Sequence, residues 1–277
     1  MPAGADQKML PISAFVIAFN EEANLLRCLE SISFCNEIVV IDSHSKDRTV
    51  EIAKEFGARV VERDWPGYVA QKAFGLTQVS NTWVLNLDAD EEVSEGLREE
   101  IFEVLKSESE TPSGFSGYEV NRVVYYWGRW WRSGGWYPEF RLRLVQRDEV
   151  IWGGRDPHEK PIPKGKVGRL KGELFHYTYK NLSDQFSRLH SFSTVAARSA
   201  WEDGKRVGIS AVLVKPCLRA FKFFILKRGY REGRVGLIVA LVEGYYTFMK
   251  YAKLLELQWQ AESDQEQERE KDRIANG

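Results

Sequence analysis

Asp88 and Asp90 stand one residue apart in Asn86-Leu87-Asp88-Ala89-Asp90-Glu91-Glu92, directly after the strand-like run Thr82-Trp83-Val84-Leu85. Two carboxylates at the mouth of a buried strand are costly to desolvate unless a cation or a water-filled site compensates them. A divalent metal and a phosphate-bearing substrate would do so. Aspartate also follows strands for plainer reasons, as a turn former or helix N-cap. The motif therefore takes its meaning from the polar groups that share its position.

An alternation of strand and helix signals sets out those groups. Residues 12–19 read as a strand. Residues 21–33 read as a helix, with Asn20 as its N-cap and Leu25, Leu26, Leu29 and Ile32 as its apolar stripe. A second strand is expected over 37–41, a helix over 46–56 stopped by Gly57, and a third strand over 58–62. A further helix over 68–78 leads to a fourth strand over 83–87. Short apolar strands separated by amphipathic helices predict an α/β fold, a mostly parallel sheet covered on both faces. Ligands of such sheets bind beyond the carboxyl ends of the strands. Asn20, Glu21 and Glu22 follow the first strand, Asp42, Ser43 and Ser45 the second, and Asp88 and Asp90 the fourth. Three polar clusters at equivalent strand ends predict one shared site.

With 277 residues, 43% of them hydrophobic and 13% aromatic, the chain can bury one sizeable core and carry an appendage. A net charge of −1 excludes a generally basic nucleic-acid binder. Between Arg122 and Lys171, however, twelve Lys or Arg face five Asp or Glu, so the middle region expects an anionic partner. Cys28, Cys35 and Cys217 are odd in number and lack metal-ligand spacing, as in a reducing compartment. Residues 1–8 show no secretory signal, and the apolar run 10–19 is too short to span a bilayer.

Four motifs in order, Val16-Ile17-Ala18-Phe19-Asn20-Glu21-Glu22, Ile38-Val39-Val40-Ile41-Asp42-Ser43, Gln71-Lys72 and Leu87-Asp88-Ala89-Asp90-Glu91, resemble a family 2 glycosyltransferase of the GT-A (Rossmann-like) fold. The resemblance runs from about Leu10 to near Leu257, and within the family it is to bacterial lipopolysaccharide core enzymes that add β-1,4-glucose to inner-core heptose. It implies a UDP-sugar donor. Phe19, Asn20 and Glu21 would form the nucleoside pocket and Asp42 would meet the uracil edge. Gln71 and Lys72 would lie by the base or phosphate, Asp88 would take the ribose or metal, and Asp90 the metal, Mg²⁺ or Mn²⁺. Ala73 departs from the Asn that relatives often carry after Gln-Lys, which weakens the assignment there.

Charge stabilisation of a leaving diphosphate is what a carboxylate-held metal supplies, and an acceptor hydroxyl needs a base from a later segment. Trp152-Gly153-Gly154-Arg155-Asp156-Pro157-His158-Glu159 offers one, since its glycines let a loop pass close to substrate. The subgroup resembled carries a His-Glu pair here, which favours Glu159, with Asp156 in reserve. The other reading is that Glu159 pairs with an Arg on a solvated loop. His176 ends a possible strand and matches in order a late histidine that the fold often uses as a metal ligand; a structural role is the alternative. His44 and His190 carry no such support.

The run from Tyr125 to Tyr137 interleaves aromatics with arginines, a chemistry suited to a sugar that also bears phosphate. Trp131, Trp136 and His158 are expected at the acceptor, although some of these tryptophans suit a core equally well. Arg141 and Arg143 alternate with leucines and would line the acceptor cleft from one strand face.

Towards the C-terminus, Leu218, Phe221, Phe224 and Ile225 make one helix face, with Lys215, Arg219 and Lys222 on another. Gly229 and Gly233 break the chain before a second apolar helix over 235–257, which Glu243 interrupts. Basic amphipathic helices lie at membrane surfaces, and packing on the catalytic domain or on another subunit of a homo-oligomer is the competing use. The expected organisation is a flexible 1–9, a catalytic domain over 10–200, a helical region over 201–257 and a charged, disordered tail over 258–277.

The expectation is thus a cytoplasmic enzyme at the inner face of the plasma membrane. It would transfer glucose with inversion from a UDP-sugar to a lipid-linked or lipopolysaccharide-core saccharide, without nucleic acid as a partner. A membrane-associated nucleotide-sugar-binding adaptor without turnover and a sugar-phosphate nucleotidyltransferase are the alternatives. The second would normally show a Gly-rich loop near the first strand, and none is there.

Overall fold

The computed structural model describes residues 10–155 and 158–275. The chain divides into two compact units, one reaching to Trp130 and resuming over Trp136–Thr178, the other formed by Trp131–Gly135 and the residues from Tyr179 onward.

The first unit opens with β1 (Leu10–Ala18), α1 (Leu25–Ser31), β2 (Cys35–Asp42), α2 (Thr49–Phe56), β3 (Arg59–Glu62), α3 (Tyr68–Thr77) and β4 (Trp83–Asp88). It continues with β5 (Glu91–Val93), α4 (Glu95–Glu110), β6 (Phe115–Tyr126), β7 (Arg129–Trp131), β8 (Glu139–Gln146), β9 (Val150–Arg155), β10 (His158–Pro163) and β11 (Lys166–His176). Nine strands form one sheet in the order β3-β2-β1-β4-β8-β6-β11-β5, with β7 beside β6; β9 and β10 pair separately. β8 is antiparallel to both β4 and β6, and β5 to β11, while the other pairs on this path are parallel. The mixed, mostly parallel α/β class expected from the sequence is the one observed.

Alternation along β1 shows why both faces are covered. Ile12, Ala14 and Val16 join Leu25, Leu29, Leu97 and Ile101 on one side, whereas Phe15 and Ile17 join Val39, Ile41, Leu76 and Val79 on the other. At Gly75 α3 lies close on the sheet, since a Cβ there would lie 2.5 Å from the Phe15 ring. Gly57 stops α2 as expected, in the left-handed region at φ 93°.

Asn20 departs from expectation. It stands at φ 56°, and its Oδ1 accepts from the Lys46 backbone N–H at 2.8 Å. Its amide thus ties the loop after β1 to the loop after β2. The helix itself starts at Leu25, with Asn24 as N-cap.

The second unit holds α5 (Leu182–Glu202), α6 (Ile209–Phe221) and α7 (Gly233–Ala275). A π-helical turn over Lys222–Leu226 and a 3-10 turn over Gly229–Glu232 join the last two. Ala197 and Ala200 of α5 pack on Leu254 of α7, flanked by Trp201, Val207 and Tyr251. This alanine face makes α5 part of the helical unit. Beyond Gln258 the helix α7 continues to Ala275. Gln258 anchors it by bonding both the Val207 N–H and C=O, and the Glu, Gln, Lys and Arg beyond are good helix formers without needing an apolar face. Residues 1–9 lie outside the described residues. No helix among the described residues is long and apolar enough to cross a membrane.

Candidate active site

Sheet register brings the polar strand ends level. Ile17 pairs with Ile41 on one side and with Asp88 on the other, so the residues after β1, β2 and β4 emerge together. Continuing across the sheet, His176 at the end of β11 pairs with Glu91 of β5 and Val124 of β6.

The loops after β1 and β2 brace each other. Ser45 Oγ accepts from the Asn20 N–H at 2.9 Å, and Thr49 Oγ1 accepts from the Glu21 N–H at 2.8 Å. Asp42 is fully buried and its carboxylate accepts from the Ser45 N–H at 2.9 Å and from the Ser45 hydroxyl at 2.5 Å. Here Asp42 holds the loop. Gln71, also fully buried, donates from Nε2 to Ser43 Oγ at 3.1 Å. Phe19 is more than half exposed at the same edge.

Lys72 is the hub of the site. Its Nζ lies 2.9 Å from Asp88 Oδ1 and 2.9 Å from Glu159 Oε1, although the lysine is almost fully buried. The Trp152 ring stands 5.4 Å from the same Nζ. A helix on one face of the sheet therefore joins the end of β4 to the β9–β10 hairpin. The segment expected as a glycine-rich loop is largely this hairpin, in which Glu159 pairs with Gly154. Asp156 lies outside the described residues. His158 is in β10, and its side chain lies outside the described positions.

Beneath Asp88 runs a network of buried charge. Arg143 Nη2 lies 2.6 Å from Asp88 Oδ2 and also pairs with Glu91. Arg122 reaches Glu91 at 3.2 Å and Glu139 at 2.9 Å. Burial would raise the Asp88 carboxyl, but the Arg143 and Lys72 charges outweigh it and hold the group well below the usual carboxylate range. Arg143 is thus a correction to the acceptor assignment: the sequence could not show that Asp88 and Glu91 would lie over its strand face. Arg141, nearer the strand end, is exposed and pairs with Glu139. Removing one partner of a buried ion network leaves uncompensated charge. Arg143→Met should therefore cost about 3–5 kcal/mol of stability, measured by urea denaturation, and adding Glu91→Gln should recover part of it.

Asp90 and His176 form a second centre. Oδ2 and Nε2 are 3.3 Å apart, and each side chain is only 12% exposed. Burial tends to raise the Asp90 carboxyl, and the adjacent His176 more than offsets this and lowers it. The Tyr177 N–H donates to the Asp90 carbonyl at 2.9 Å and fixes the two strand ends together. Asp88 is instead ion-paired with Lys72 and Arg143. No group of three His, Cys, Asp or Glu among the described residues is arranged to hold a metal. A carboxylate with one imidazole nevertheless fits Mg²⁺ or Mn²⁺, which complete their shells with water and substrate phosphate. His176 Nδ1 is buried without a hydrogen-bond partner, as are Gln71 Oε1, Trp152 Nε1 and Arg27 Nη1. Buried polar atoms are rarely left unmet, and all four belong to residues on or beside this edge.

The aromatic run is sorted differently from expectation. Trp131 is fully buried against Phe223 in the helical unit, a core residue and not an acceptor platform. Trp136 is half-buried beside Tyr126. Trp130, not singled out from sequence, stacks on Phe175 at 4.3 Å and meets Tyr177 and Tyr125 edgewise or tilted. The Arg27 guanidinium lies 3.8 Å over the Tyr177 ring. The available signal was strand alternation, since Trp130 and Trp131 in β7 must face opposite ways.

Fold and site together define a GT-A architecture with an acidic, partly unspent polar edge. The glycosyl transferase family 2 profile matches residues 13–162, which include every one of these site residues except those at the end of β11. The chain belongs to glycosyl transferase family 2 and is a glycosyltransferase, which sets aside the nucleotidyltransferase alternative. It is 32% identical over 252 residues to the lipopolysaccharide core biosynthesis glycosyltransferase LpsC of Rhizobium meliloti, spanning 88% of this chain and 92% of the relative. An uncharacterized glycosyltransferase of Rickettsia typhi is 29% identical over 260 residues, 90% of this chain and 88% of the relative. Among solved structures, Mycobacterium tuberculosis glucosyl-3-phosphoglycerate synthase in complex with Mn²⁺, UDP and phosphoglyceric acid aligns with 40% of this chain and 43% of its own. That alignment has 26% identity and a TM-score of 0.34.

Proposed function

We propose that the protein is an inverting hexosyltransferase that moves glucose from UDP-glucose to a lipid-linked saccharide, an inner-core heptose of lipopolysaccharide, at the cytoplasmic face of the inner membrane. The observation that carries this reading is the convergence of Asp90–His176 and Lys72–Glu159 on one sheet edge. The likeness to a lipopolysaccharide core glycosyltransferase supports the acceptor class.

Phe19, Asn20 and Glu21 receive the nucleoside on the braced loops, with Asp42 holding those loops in shape. Asp90 and His176 would hold Mg²⁺ or Mn²⁺, which would supply Lewis acidity to the leaving diphosphate. Lys72 exchanges its contact with Glu159 for the incoming phosphates. Glu159, so released, accepts the proton of the acceptor hydroxyl as that oxygen attacks the anomeric carbon from the side opposite the diphosphate. The UDP oxygen keeps the electron pair of the broken bond, and the configuration inverts. The Trp130–Tyr177 cluster offers aromatic faces beside Asp90 for a sugar ring.

The test is transfer of radiolabelled glucose from UDP-glucose to heptose-terminated lipopolysaccharide, with the new linkage determined by NMR. A β-linked product is expected. An α-linked product would contradict inversion, and no transfer from any UDP-hexose would contradict the donor class.

A further inference from the structure

We infer that the helical hairpin formed by α6 and α7 presents a one-sided docking surface for an anionic phospholipid bilayer. A Cβ at Gly244 would lie 3.1 Å from the Pro216 carbonyl and 3.4 Å from the Ala220 Cβ, which marks the line of contact between the two helices. The Arg219 guanidinium pairs with Glu243 at 2.5 Å, one residue before that line on each helix. The helices run antiparallel, because early residues of α7 meet late residues of α6. In an antiparallel pair, residues one step past the contact line on either helix turn to the same side, about 100° round each axis. Those residues are Cys217 and Phe221 on α6 and Tyr245 on α7, joined by Leu213, Leu237, Leu241 and Phe248 at helical spacing.

Every one of these side chains is exposed, and Leu213, Phe221 and Leu241 are each more than half exposed. The ion pair lies on the opposite side. The hairpin thus has a polar back and an apolar front.

Charge decides what covers the front. From Lys205 to Arg234 there are nine Lys or Arg and one acidic residue, Glu232, which accepts a hydrogen bond from the Ser133 hydroxyl at 2.6 Å. Lys227, Arg228, Arg231 and Arg234 cluster at the turn of the hairpin and are exposed. A second copy of the chain would set this positive field against itself. Anionic headgroups attract it, while the apolar front sinks to the acyl boundary. The surface lies on the bilayer without crossing it, in keeping with the absence of a spanning helix among the described residues. It deepens the reading of a lipid-linked acceptor but does not depend on the chemistry at Asp90.

The full-length protein is sedimented with vesicles of phosphatidylglycerol and phosphatidylethanolamine, and with vesicles of phosphatidylcholine. At least tenfold stronger partition to the anionic vesicles is expected, falling steeply at high salt. The triple variant Leu213→Ser, Phe221→Ser, Leu241→Ser should lose at least tenfold in partition with UDP affinity unchanged. If that variant fails to fold, the charge reversal Lys227→Glu, Arg231→Glu, Arg234→Glu carries the same test at the surface. Undiminished partition of a folded variant, or no binding of the native protein to anionic vesicles, would overturn the assignment. Sedimentation velocity showing a dimer that the triple variant dissolves would overturn it in favour of self-association. Failure of UDP binding in the native protein, with vesicle binding intact, would strike the donor reading alone.

Discussion

Asp90→Asn is expected to lower kcat by about a thousandfold, equivalent to ~4 kcal/mol of transition-state stabilisation. The substitution keeps size and shape and removes only the negative charge. That charge is what the Asp90–His176 pair offers a divalent cation, and His176 alone is a weak ligand for Mg²⁺ or Mn²⁺. His176→Ala should be milder, about ten- to a hundredfold, because carboxylate, phosphates and water would still hold the proposed ion. UDP affinity should lose its metal dependence in Asp90→Asn while the metal-free component remains. Steady-state kinetics with a metal titration checks both variants. A biological activity that survives Asp90→Asn would favour the adaptor alternative, a protein that binds without turnover.

Glu159→Gln carries the second large effect. General-base loss costs about 10²–10⁴-fold in rate, and kcat for transfer should fall in that range while donor affinity stays within about twofold or tightens. The tightening has a geometric reason. Lys72 lies between Asp88 and Glu159, each 2.9 Å away, and a neutral amide competes less well than a carboxylate for the ammonium that the diphosphate must recruit. Should Asp156 be the base instead, Glu159→Gln would retain the rate and Asp156→Asn would lose it.

Much of the fold was legible because its signals are local. Strand and helix periods in the first ninety residues place the edge correctly, and Gly57 ends α2 as read. The C-terminal helices and their break at Gly229 and Gly233 were legible for the same reason. In the tail after Gln258 low apolar content points one way, while helix propensity and the Gln258–Val207 bonds act without a buried face. Within the site, Asp90, His176, Lys72 and Glu159 were named from motif order, and long-range packing brings them together in two pairs.

What stayed hidden depends on contacts distant in sequence. Arg143 reads as a cleft arginine until β4 and β8 pair and set Asp88 and Glu91 against it. Trp131 and Trp130 are indistinguishable by composition, which does not say which ring meets Phe223 and which meets Phe175. Asn20 looks like an N-cap because Asn so often is one, yet its side chain is used by Lys46, 26 residues away. Partners of this kind leave no periodic trace in a sequence.

The central claim is a metal-assisted UDP-sugar site on the edge that carries Asp90, His176, Lys72 and Asp88. Calorimetric titration of the native protein and of Asp90→Asn with a panel of nucleoside diphosphates and nucleotide sugars, with and without Mn²⁺, tests it most directly. UDP-selective binding that Mn²⁺ strengthens in the native protein, and leaves unchanged in Asp90→Asn, is the result the account requires. Binding of no nucleotide, or equal enhancement by Mn²⁺ in both proteins, would contradict it.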